Sequence, residues 1–256
     1  MVAAFILRQA CPVQSRLYCF VGVDKSTLHP SDVLRKLHEK FSTNFDQAIV
    51  ACVQELERVD IKVRAIAECG SELAKLPNLA PSQVQLSGAA EEVFADLVTS
   101  IYLASIGLDR AAQMVLRRGF ELGLAIVYLW DLPHLFWGWK QRDYDLNFSE
   151  MLEHLDSPNY RTFLEKTAGV SADAFLIDKA SARRVYRTTS NTIHGKITTH
   201  KVLAADGFIH SPEQCNSHLR MIDEVATLLL DLWFKRFPDL ERAVRAALPC
   251  YDRVSS

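Results

Sequence analysis

The sequence predicts an all-α protein, a helical bundle with a long N-terminal helical arm, on three observations. Apolar residues recur at three-and-four spacing along most of the chain, the period of helices that each bury one face. Only 10 Gly and 9 Pro occur among 256 residues, too few turn-formers to join the many short strands of a sandwich or barrel. The composition, 49% apolar and 23% charged, is that of a chain able to bury a core of its own without staples.

Element by element, Met1 to about Val23 contains two short apolar runs, Phe5-Ile6-Leu7 and Leu17-Tyr18-Cys19-Phe20-Val21, that suit strands or extended arms, and residues 1–28 stay unassigned. Ser31 has the chemistry of an N-cap. From Asp32 to about Leu76 the helical period holds through Val33, Leu37, Phe41, Phe45, Ile49, Val53, Leu56, Val59, Val63 and Ile66, as one very long helix or two in line. Pro77 and Pro81 end it, so residues 29–82 form an N-terminal helical region and 83–256 the bundle. A helix follows from about Ala89 to Ile106, stopped at Gly107, with Asp109 as N-cap of the next, Arg110 to Trp130. That helix is apolar nearly all round, as the central helix of a bundle is. Pro133 opens an aromatic patch, Leu135-Phe136-Trp137-Gly138-Trp139, and a polar loop spans Lys140 to Asn147. Short helices are expected at Phe148–Leu155 and Tyr160–Thr167. Ser171 is placed to cap a helix from Ala172 to His194 or Lys196, a looser stretch runs to Ser211, and the last long helix runs from Pro212 to Phe237 before a short one, Asp239–Leu248.

Several function classes are excluded at this level. A net charge of −2 and a pI of about 6.4 give no global basic field for non-specific nucleic-acid binding, so any RNA contact is local. The six cysteines, Cys11, Cys19, Cys52, Cys69, Cys215 and Cys250, are far apart and form no C-x-x-C pair; they read as reduced core residues, and the cytoplasm is the expected compartment. Met1 to Leu7 lacks the basic flank of a signal peptide. The most apolar stretch, Leu122 to Trp130, reaches less than half of a ~30 Å hydrocarbon core at ~1.5 Å per residue, so no membrane span is expected. His200, His210, His218 and Cys215 fit no standard zinc spacing, and no Gly-rich phosphate loop or hydrolase elbow occurs. No metal and no cofactor is expected.

The residues that point to chemistry lie between Arg183 and Lys196. At ~100° per residue a seven-residue step returns to within ~20° of its start, so Arg187 and His194 share one stripe of the helix, with Asn191 between them and Arg184 a turn earlier. Tyr186, Ile193 and Ile197 fall on a neighbouring stripe suited to packing. A guanidinium grips a phosphate through two N–H bonds and an imidazole moves a proton near neutral pH. Together they suit phosphodiester cleavage without a metal, above all in RNA, where the 2′-hydroxyl already sits beside the scissile phosphorus.

Arg187-x6-His194 on the penultimate long helix, with the segment Ser190-Asn191-Thr192-Ile193-His194-Gly195, resembles the R-x(4-6)-H motif of HEPN domains of bacterial defence and toxin systems, over roughly Ala89 to Phe237. The resemblance implies a homodimer whose paired motifs form a metal-independent endoribonuclease, leaving a cyclic phosphate end. It makes Arg187 the phosphate-binding residue and His194 the catalytic one, with Asn191 substituting for the polar residue usually found where Thr188 stands. Arg184 and Lys196 are the expected substrate-binding cations.

Other readings stay open beside it. His194 suits a helix C-terminus for electrostatic reasons alone, with Gly195 as a stop, and Arg187 would then be solvated or paired with Asp223 or Glu224. The same fold without activity would be an adaptor or sensor that binds a protein partner through the N-terminal helical region or the aromatic patch. A third reading is a small-molecule-binding bundle whose pocket is lined by Arg118 and Glu121; against it, the two are three apart on the central helix and able to pair with each other as a buried ion pair that fixes packing.

Overall fold

A computed structural model describes residues 30–142, 145–171, 175–193 and 211–253, and among these the chain forms ten α-helices and no strand. They are α1 (Pro30–Ala51), α2 (Val53–Leu73), α3 (Pro81–Ser105), α4 (Asp109–Trp130), α5 (Pro133–Arg142), α6 (Phe148–Leu155), α7 (Pro158–Ala168), α8 (Lys179–Ile193), α9 (Pro212–Arg236) and α10 (Pro238–Ala247), followed by a 3-10 turn, Pro249–Arg253. The segment 1–28 and the stretch from His194 to His210 lie outside the described residues.

Helix α4 is the hub that its all-round apolar pattern predicts: it packs on α3, α5, α6, α8 and α9. Leu116, Phe120, Leu124, Ile126 and Leu129 on it are fully buried, each removed from water at a gain of about 2 kcal/mol. Gly123 lets α9 come close, since a Cβ there would meet the Leu229 side chain at 2.6 Å. The bare carbonyl of Gly123 also accepts a 3.0 Å hydrogen bond from Trp233 Nε1, which lets the largest buried side chain enter the core with its one donor satisfied. At the C-terminal end of α4, Asp131 accepts both Arg236 Nε at 2.9 Å and Nη2 at 2.7 Å, and the Tyr160 hydroxyl at 2.8 Å. This buried fork joins α4, α7 and α9.

The long N-terminal run is two helices that meet at Cys52, whose backbone leaves the helical region at φ −118°, ψ 18°, although bonds of helical spacing still run from Cys52 N to Ala48 O and from Leu56 N to Cys52 O, at 2.9 Å each. Helix α2 buries Val59, Val63, Ile66, Cys69 and Leu73 against α3 and α9, so it shares the core of the bundle. Lys62 Nζ meets Asp223 of α9 at 2.9 Å.

Several boundaries differ from the sequence expectation; Ser31, expected as an N-cap, lies within α1. Helix α3 starts at Pro81, eight residues before Ala89, because Gln83 folds back to accept the Ala80 N–H at 3.0 Å and Leu86 and Ala90 are then buried together. The stretch to Ser87 is therefore helix, with proline at its first position, where a missing N–H costs nothing. Asp109 is the first residue of α4 and Leu108 its N-cap. The aromatic patch and Lys140 lie on helix α5. Helix α8 begins at Lys179, and Asp178 caps it by accepting from Ala180 N at 2.9 Å and Ser181 N at 3.2 Å; the cap assigned to Ser171 belongs here. Between α3 and α4, Gly107 adopts φ +83°, a left-handed turn open to glycine at no steric cost.

Among the described residues no helix is long and apolar enough to cross a membrane.

Candidate functional site

Helix α8 lies on α4, with Ala182, Val185 and Thr189 fully or almost fully buried. At about 100° per residue, Arg187 lies roughly 165° and Asn191 roughly 155° around the helix from the mean direction of those three, on the ridge facing away from the bundle. Arg187 is exposed and Asn191 half-buried. Thr188 is exposed and spends its hydroxyl on its own helix, donating to Arg184 O at 2.9 Å.

The cations of α8 divide into two groups. Lys179 pairs with Glu153 at 2.9 Å and Asp156 at 3.0 Å, and Arg183 also pairs with Glu153; these contacts tie α8 to α6 and hold the Glu153 carboxyl below the usual range, chiefly through the Lys179 hydrogen bond. Arg184 pairs with Glu224 of α9. Arg187 has no ion pair or hydrogen bond with any described residue. The partners proposed for it are taken: Asp223 by Lys62 and by Arg58 at 3.2 Å, and Glu224 by Arg184. Of the two alternatives for Arg187, solvated or paired with one of these carboxylates, the structure shows the solvated one, and the same pairing makes Arg184 a neutralised cation rather than a free one. His194 and Lys196, the other motif residues, fall outside the described residues.

A cleft of about 740 Å³ opens between α3, α4, α5, α6 and α8. Arg118 and Glu121 both line it, yet they do not pair with each other as expected. Glu121 binds Arg117 Nε at 2.9 Å, one full turn away, because the four-residue step on α4 aligns these side chains. Arg118 instead crosses to α3, donating to Asp96 at 2.6 Å and Glu92 at 2.9 Å. Asp96 is buried, and burial raises its carboxyl above the usual range against the opposing pull of Arg118. Arg117 continues to α8, where its Nη2 donates to the Tyr186 hydroxyl at 2.7 Å and its guanidinium lies 4.5 Å over the Tyr186 ring. Tyr186 also stacks on Phe148 of α6 at 3.8 Å.

Sequence reasoning missed Glu92 and Tyr186 as lining residues of this cleft, and Asp96 as the buried partner of Arg118. The four-residue step from Glu92 to Asp96 on one face of α3 is the signal that could have found these two carboxylates; the crossing from α4 to α3 has no local signature. Of the aromatic patch, Phe136 is buried, Trp137 is half-buried, and Trp139 lines the cleft.

Among the described residues no group of three His, Cys, Asp or Glu could hold a metal ion. His218 is 3% exposed, its Nε2 2.9 Å from Ser100 Oγ, and Cys215 is buried beside Cys52; both belong to the core.

Compared with protein-family models, curated proteins and solved structures, the chain matches none significantly.

Proposed function

We propose that the chain is a metal-independent endoribonuclease of the HEPN type that works as a homodimer, with Arg187 and His194 of both copies acting on RNA. The observation that carries this reading is Arg187 itself: on a helix whose described neighbouring cations are all neutralised, it alone among them is left without a carboxylate, on the ridge turned from the core. An exposed guanidinium with its fork free is suited to a phosphate. His194, seven residues on, falls on the same stripe if the helical step continues.

The chemistry is a transesterification. The 2′-oxygen bonds to phosphorus as its proton passes to a base, the bond from phosphorus to the 5′-oxygen breaks, and that oxygen takes up a proton. The products are a 2′,3′-cyclic phosphate and a 5′-hydroxyl. Arg187 stabilises the charge on the phosphorane oxygens, and His194 holds the proton that moves. Asn191, four residues after Arg187 on the same ridge, is a neutral hydrogen-bonding group. Thr188, bonded to its own helix backbone, leaves that place to Asn191.

The test is cleavage of single-stranded RNA in EDTA. Arg187→Ala and His194→Ala are each expected to lower the rate by at least about 100-fold with unchanged helicity and oligomeric state. Parent-like cleavage by either variant overturns the assignment.

A further inference from the structure

The cleft on the α3 side of α4 is a binding site in its own right. Its volume of about 740 Å³ lies in the range of small-molecule pockets. Its guanidiniums are fixed before any ligand arrives. Arg117 is held by Glu121 and Tyr186, and Arg118 by Asp96 and Glu92, yet each engages only part of its five N–H donors. Glu92, whose side chain is 61% exposed, meets Arg118 through one oxygen, and Glu121, 36% exposed, shares its carboxylate between Arg117 and the Tyr186 hydroxyl. The polar wall thus presents donors beside acceptors in a set order.

That order selects the ligand class. A simple anion brought to either arginine meets the carboxylate already bound there, and a simple cation brought to either glutamate meets the guanidinium. A neutral group carrying a donor next to an acceptor on one edge satisfies both. Beside this wall the lining is apolar or aromatic at Leu122, Met151 and Trp139 and polar at Asp145 and Asn147. Both faces of Tyr186 are occupied, one by Phe148 and the other by Arg117, which leaves Trp139 as the aromatic wall. A flat face and a donor-acceptor edge together describe a heterocycle.

We propose that this cleft binds a flat, uncharged amino-oxo heterocycle of the guanine type, its N–H edge on Glu121 or Glu92 and its carbonyl edge on Arg117 or Arg118. The site stands apart from the nuclease reading and holds whether or not Arg187 and His194 cut RNA.

Calorimetric titration of the full chain with guanosine, and separately with a short guanine-rich single-stranded RNA, distinguishes the two sources of such a base. Binding of guanosine assigns the cleft to a free nucleoside; binding of the RNA alone, kept in Arg187→Ala and weakened by substitutions in the cleft, assigns it to a base presented by a strand, whereas RNA binding that the cleft substitutions leave unchanged overturns the proposal. Whichever probe binds, Glu121→Gln and Trp139→Leu are expected to weaken it at least about tenfold, and replacing guanine by hypoxanthine, which lacks the amino group, to weaken it by a similar factor. Titration of the parent chain also moves the Trp139 indole N–H signal in the NMR spectrum, a readout that needs no variant. Absence of binding by both probes, equal affinity for hypoxanthine, or an unmoved Trp139 signal overturns the proposal.

Discussion

Acidification tests the buried imidazole of His218. The ring is 3% exposed, only Nε2 has a partner, and Nδ1 is buried without one. Burial pushes its pKa down to about 4 from the ordinary 6.5, since charging the ring there forfeits hydration that nothing replaces. Between these two values the unfolded chain binds a proton that the folded chain refuses, so stability falls as pH drops through that window and the loss is complete below about pH 4. At about 1.4 kcal/mol per unit, the full effect is about 3 kcal/mol, and about 2 kcal/mol is already lost by pH 5. His154 acts in the same direction, also through burial. Asp96, Asp109 and Asp231, whose carboxyls burial raises, act in the opposite one, because their folded forms take up protons before the unfolded chain does. His218→Gln isolates the imidazole: it keeps a hydrogen-bonding group near Ser100 and cannot titrate. Urea unfolding followed by circular dichroism at pH 7, 6 and 5 should show the parent losing about 2 kcal/mol more than the variant. A stability difference between parent and variant that stays constant over that range refutes the reasoning.

Two further substitutions probe the packing that positions α8 and the cleft. Asp131→Asn leaves Arg236, whose side chain is 12% exposed, against a neutral amide, and should cost about 3–5 kcal/mol in denaturant unfolding; Asp131→Asn with Arg236→Met should recover most of it. Gly123→Ala should destabilise by about 1–3 kcal/mol although alanine is ordinarily the better helix former, because the added methyl enters the space of Leu229. Leu229→Ala in the same chain should make Gly123→Ala neutral or favourable, measured by thermal melting.

The fold was legible because its signals are local and redundant. Every helix with a clear period, and α4 above all, can be read from residue spacing, and Ser211 and Pro212 mark the start of α9 as helix-start chemistry requires. The misread boundaries are those where a side chain outside the expected start decides: Gln83 reaching back to Ala80 and Asp178 capping α8 are choices among several plausible polar residues. The candidate site was legible only in part. The ridge of Arg187 and Asn191 follows from helical geometry alone. Which arginine is neutralised does not, because Glu224 and Glu153 come from distant helices. For the same reason the pairing of Arg118 with Glu121 failed. A four-residue neighbour served Glu121 better, and Arg118 found Asp96 across the α3–α4 interface, a contact set by how two helices pack.

The sharpest measurement on the nuclease reading uses the substrate rather than the protein. An RNA cut by the chain in EDTA is resynthesised with a single 2′-deoxy residue on the 5′ side of the cleaved bond. Cleavage at that bond alone should vanish, while neighbouring sites are still cut and the products from ordinary RNA carry 2′,3′-cyclic phosphate ends. Continued cutting at the deoxy position, or no cutting of any RNA by the chain, contradicts the role assigned to Arg187 and His194.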